Sequence, residues 1–106
     1  MTKLVVTADA EADTIEILEH LASEASPRVA EKFGRRFRTA IERFVDLPGT
    51  GPPRPALGDR VRISVVFPYV LIYDYSDADD TVTLLRILHG RRNITPDLLR
   101  GEKESP

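Results

Sequence analysis

A serine–proline pair, Ser26-Pro27, separates two amphipathic stretches and divides the first half of the chain into two helices. Serine at the cap and proline at the first helical position form a strong start signal. The serine hydroxyl accepts an otherwise unpaired amide proton, and the proline has no amide proton to satisfy. Upstream, Ile15, Leu18, Ala22 and Ala25 recur at steps of three and four and make an apolar stripe. Thr7 or Asp9 can cap that first helix, and Asp9, Glu11 and Asp13 sit near the positive end of its dipole. Downstream, Val29, Phe33, Phe37, Ile41 and Phe44 share one face of a helix from Pro27 to about Leu47. An aromatic stripe at this spacing is a core face, not a cofactor site. Two such helices with a short joint form an antiparallel hairpin.

Strand patterns flank the hairpin. Lys3 to Thr7 is a short β-branched run. Pro48 stops the second helix, and Pro48 to Pro55 is a stiff loop, suited to a fixed connection or a docking edge. Arg60 to Val65 alternates, with Arg60, Arg62 and Ser64 on a wet side and Val61, Ile63 and Val65 on a dry one. A turn at Phe67-Pro68-Tyr69 leads to a strand over Val70–Tyr75, and an acidic turn over Ser76–Asp80 leads to a third over Thr81–His89. This last run is apolar in its middle, as a central strand is. Asn93 or Thr95 can cap a short helix from Pro96 to Arg100. The order β-α-α-β-β-β predicts an α+β fold, a helical hairpin packed on a small, mainly antiparallel sheet. We expect a single domain over residues 1–100 and a frayed tail over 101–106.

Charge is segregated along the chain. Residues 1–25 carry a net −5, residues 26–66 a net +5, residues 67–80 a net −4 and residues 81–100 a net +3, within a total of −2. Local potential decides what docks on a surface, and two segments are basic. The acidic total argues against tight binding to nucleic acid outside a complex. No cysteine is present, so neither a disulfide framework nor a thiolate metal site can form. His20 and His89 are far apart in sequence, and no metal or cofactor is expected. No run reaches the roughly 18 apolar residues of a membrane span, and no signal sequence follows Met1. A cytoplasmic location fits these features.

The segment Arg86-Ile-Leu-His-Gly-Arg-Arg-Asn-Ile94 runs from an apolar strand into a charged turn. His89, Arg91 and Arg92 cluster around Gly90, which frees the backbone to turn. A cluster of donors at a strand end suits recognition, although a solvated strand end has the same composition. For His89 the plainer role is to hydrogen-bond the adjacent turn. Arg86, in an apolar strand, is either a recognition residue or a structural partner of an acid such as Asp74.

Together with the order of elements, this segment resembles the C-terminal signature of the RelE/ParE superfamily of type II toxin–antitoxin toxins, its ParE branch in particular. The resemblance spans about Leu4 to about Ile94. In the RelE branch it implies ribosome-dependent mRNA cleavage, which needs a base, cations for the phosphate and an acid for the leaving oxygen. Arg62, Arg86 and His89 are the candidates for such catalysis, with Arg60 as a further cation. The set is incomplete, since no tyrosine follows Tyr75. The ParE branch instead implies inhibition of DNA gyrase without catalysis, with Arg86, His89, Arg91 and Arg92 as target-binding residues. The resemblance also implies a cognate antitoxin, lying between hairpin and sheet and along an edge strand. Arg35, Arg36, Arg60, Arg62 and Tyr73 are its expected contacts. A non-toxic, antitoxin-binding member of the family is a further possibility.

Overall fold

The computed structural model describes residues 2–99. Strand β1 (Lys3–Val6) leads into helix α1 (Ala8–Glu24), and α2 (Pro27–Asp46) follows. A 3-10 turn at Pro48–Thr50 opens the loop to β2 (Val61–Val66), β3 (Tyr69–Ser76) and β4 (Thr81–His89). A single helical turn, α3 (Pro96–Leu99), comes last. The expected end of this helix, Arg100, and the expected tail 101–106 lie outside the described residues. Strands β2, β3 and β4 form an antiparallel meander, and β1 adds parallel to β4, giving the order β1-β4-β3-β2. The α+β order and a central β4 are as the sequence predicts.

Local chemistry sets the helix starts. The Thr7 hydroxyl accepts the Ala10 amide proton at 3.0 Å and donates to the Leu85 carbonyl at 2.9 Å, so Thr7 is the cap rather than Asp9. Ser26 caps α2 by accepting from the Val29 amide, with Pro27 at the first helical position. Leu85 is the odd residue of a β-bulge, where pairing passes from Ile72–Arg86 to Tyr73–Leu84. The bulge lets Thr7 tie the start of α1 to the middle of β4.

The sheet is covered on both faces. On one, Ala10, Phe37 and Phe44 of the helices pack on Val66, Tyr69, Leu71, Tyr73, Val82, Leu84 and Ile87. On the other, Val61, Ile63, Ile72 and Leu88 lie beneath Leu57, Ile94, Leu98 and Leu99. The sequence expectation of one wet face on β2 therefore fails. Arg62 and Ser64 are half-buried on the helix side, while Val65 is 60% exposed, because the cover over Val61 and Ile63 ends before it. The buried face of α1 also differs from the expected stripe. Ala10 and Asp13 are buried and Ile17, Leu18 and Leu21 pack beside them, whereas Ile15 is 58% exposed. A carboxylate stands on the true inward face, and this disguised it.

Candidate interaction surfaces at the end of the sheet

The turn after β4 is held by its own histidine. Nδ1 of His89 accepts the Arg91 amide proton at 3.1 Å, and the His89 carbonyl accepts that of Arg92 at 3.0 Å. The imidazole stands edge-on to Tyr69, with centroids 5.7 Å apart. Gly90 has no left-handed backbone here; its role is close approach. Its amide donates to Pro68 at 2.8 Å, and a Cβ would sit 3.2 Å from that carbonyl. The approach brings the β2–β3 turn beside the charged turn. Val65, Phe67, Pro68, Val70, His89 and Arg91 then line one depression. Phe67 is 78% exposed there.

Arg86 belongs elsewhere. Its Nε and Nη2 donate to the two carboxylate oxygens of Asp13 at 2.7 and 2.9 Å, and Nη1 donates to the Leu98 carbonyl at 2.9 Å. Asp13 also accepts the Ile87 amide proton at 3.0 Å. The hydrogen bonds to Asp13 raise the Arg86 pKa, against the opposing effect of burial. The partner of Arg86 is thus Asp13 of α1 rather than Asp74, and its side chain is only 15% exposed. It joins α1, β4 and α3, a structural role in place of the target contact expected from the sequence.

The other expected residues scatter. Tyr73 is 0% exposed, so it is not a surface contact for an antitoxin. Its ring stacks on Phe44 at 4.1 Å, and its hydroxyl donates to the Pro48 carbonyl at 2.7 Å and accepts the Gly51 amide proton at 3.1 Å. Arg62 donates to the Gly49 and Gly51 carbonyls at 3.2 and 2.7 Å, fixing the same loop. Arg60 pairs with Asp74 at 3.2 Å. The ribonuclease candidates do not converge. His89 lies in the sheet row of Tyr69 and Val66, while Arg62 stands four residues back along β2, about 13 Å away at ~3.3 Å per residue. Among the described residues no cluster of His, Asp or Glu is placed to hold a metal ion, and no helix is long and apolar enough to cross a membrane.

Arg35 and Arg36 do share a site. With Lys32, Thr39 and Arg43 they form the α2 wall of an open groove of about 470 Å³, whose other wall is Ser64, Val65 and Val66. The guanidinium of Arg36 lies 5.1 Å over the Phe33 ring. Along β2, the Val61 carbonyl accepts from Arg54 and the Ile63 amide donates to Pro52, so alternate residues turn their backbone groups off the sheet. The Pro52–Arg54 segment covers the first half of that edge. Val65 continues the alternation beyond the cover, and its N–H and C=O face the groove mouth.

Residues 4–94 match the family model described as ParE toxin of type II toxin-antitoxin system, parDE. The chain belongs to the ParE toxin family. None of the curated proteins compared with it matches. A solved structure of the chromosomal ParDE toxin–antitoxin system from P. aeruginosa superposes with a TM-score of 0.69 at 22% identity, covering 84% of this chain and 96% of that one. A chain of the RelBE2 toxin–antitoxin complex from Mycobacterium tuberculosis superposes with a TM-score of 0.54, also at 22% identity, covering 83% and 96%. At such identities the likeness speaks for the fold alone.

Beyond the individual contacts expected from the sequence, the surfaces of this ParE-family toxin include Lys32, Arg43, Val65 and Phe67. The first two were visible as a basic stripe, since positions 32, 35, 36, 39 and 43 share one side of a helix. Phe67 carried a weaker signal, an aromatic residue at a turn, directly before a proline.

Proposed function

We propose that this chain is a non-enzymatic toxin that acts in the cytoplasm on DNA gyrase and is neutralised by a cognate antitoxin. The observation that carries this reading is the dispersal of Arg62, Arg86 and His89. The first two are bonded into the fold and the third caps a turn, so these three do not assemble into a set that could move a proton on RNA. What is exposed suits recognition: Arg91 and Arg92 supply forked donors, and Phe67 supplies an apolar anchor beside them. His89 presents its ring at the same edge.

The basic α2 groove fits an acidic antitoxin segment, and the open end of β2 fits an added strand. Groove and depression meet at Val65, so a segment lying in one covers the approach to the other. Controlled expression in a bacterial host tests the site. The parent should arrest growth, and Arg91→Ala with Arg92→Ala, or Phe67→Ala alone, should relieve the arrest. Phe67 is exposed, so its replacement should change stability by only about 0.5 kcal/mol. If both variants arrest growth as the parent does, this surface is not the toxic one.

A further inference from the structure

The depression at Phe67 does not end at Val70. On the sheet face turned away from the helices, Val65 pairs with Val70 and, two residues along, Ile63 pairs with Ile72. There a cleft of about 290 Å³ opens between a loop wall of Arg54, Ala56 and Leu57 and a second wall of Gly90 and Ile94. It adjoins the depression, because Val70 and Gly90 line both. Gly90 keeps the junction open, since a Cβ there would sit 3.7 Å from Cγ2 of Val70. Ile63 and Ile72 close the base of the cleft, and Leu57, Val70 and Ile94 stand half-buried around its mouth. Both walls are pinned. The Arg54 amide donates to the Val61 carbonyl and the Leu57 amide to the Arg54 carbonyl, each at 2.9 Å. Opposite them, the Gly90 amide is bonded to Pro68 and the Arg92 amide to His89. A cleft held open in this way spares a ligand the cost of ordering it. Its charge is of one sign. Among the described residues, the charged side chains lining cleft and depression are Arg54 and Arg91, and no acid joins them.

We infer that this cleft receives an aromatic side chain of the target, carried on an acidic segment. The inference rests on the reading of the adjoining depression as target surface. Volume sets the size of the guest. A cavity of ~150 Å³ holds a benzene, so the cleft has room for a phenyl or an indole group. Its apolar lining rejects a charged or unpaired polar group. Charge sets the flanks. Arg54 at the cleft and Arg91 at the depression each meet a carboxylate beside the aromatic residue. A basic segment of the same shape sets like charges together, so the sign of the flanking residues selects the partner. The basic groove of α2 opens on the helix face, with Val66 of the helix-covered core in its other wall. A segment lying in that groove leaves the cleft itself empty.

Methyl NMR on the full chain, titrated with the end-blocked peptides DEWED and DEAED, reads the outcome. The tryptophan peptide, at millimolar concentration, should shift the methyls of Leu57, Val70 and Ile94 by its ring current, and the alanine peptide should not. Ala56→Trp fills the cleft from an exposed position, and Arg54→Glu reverses the charge at its rim. Each should weaken binding of the tryptophan peptide by about tenfold or more, with unchanged melting by circular dichroism. The same variants should need about tenfold or more protein to inhibit gyrase as the parent does. No shift at these methyls, equal shifts from both peptides, or shifts confined to Ala40 and Val66 of the α2 groove would overturn the inference and leave the gyrase reading standing. Variants that inhibit gyrase like the parent would overturn it too. A parent that leaves gyrase unimpaired while the tryptophan peptide seats in the cleft would support the cleft and remove the gyrase reading.

Discussion

Asp13 is the residue on which three parts of the molecule meet. Its carboxylate accepts from Arg86 twice and from the Ile87 amide, and Arg86 carries the link onward to Leu98 of α3. Both side chains are nearly out of water, at 10% and 15% exposure. Removing either partner leaves the other buried and unpaired, which costs about 3 kcal/mol or more. Asp13→Ala and Arg86→Ala should therefore each lower the urea midpoint strongly, and the double replacement should cost much less than the two losses added together. Additive losses in that cycle would contradict the assignment. From sequence, Asp13 looks like a helix N-terminal charge and Arg86 like part of a basic cluster. Nothing local marks the pair, because the contact spans 73 positions and depends on a bulge that ties α1 to β4.

At the scale of elements, the loop between α2 and β2 is clamped from inside. Tyr73 and Arg62 hold the carbonyls of residues 48, 49 and 51, and a Cβ at Gly51 would fall 2.5 Å from the Tyr73 hydroxyl. Burial raises the pKa of the Tyr73 phenol, against the opposing effects of the Gly51 bond and the Arg62 charge. A raised folded-state pKa means this stability is fully present below the unfolded value of about 10 and is lost as pH climbs through the folded value. Tyr73→Phe should cost about 1–2 kcal/mol near neutrality, and denaturant melts above pH 10 should show a shallower alkaline loss than the parent. An equally steep loss in both would remove Tyr73 from the account. Element order was legible because Ser26-Pro27, Pro48 and the acidic turn punctuate strong periodic runs. The facing of α1 and β2 was not. Asp13 breaks the apolar pattern of α1, and β2 is covered on both sides for only part of its length.

Across the whole molecule, the basic groove and the apolar depression adjoin. The basic wall of α2 and the basic turn after β4 lie on either side of Val65, and no residue of the acidic α1 lines either surface. That the charged turn with Arg91 and Arg92 is exposed was legible from short-range pattern. The depression that Arg91 shares with Phe67 needed the hairpin to fold back through Gly90 and Pro68. The proposed function requires that these surfaces bind a target and cut no bond. Its most direct test is gyrase acting on relaxed plasmid with the purified chain present. Loss of supercoiling with accumulated linear DNA, abolished by Arg91→Ala with Arg92→Ala, is the predicted result. Unimpaired supercoiling at excess folded chain, together with breaks in mRNA on translating ribosomes, would contradict it.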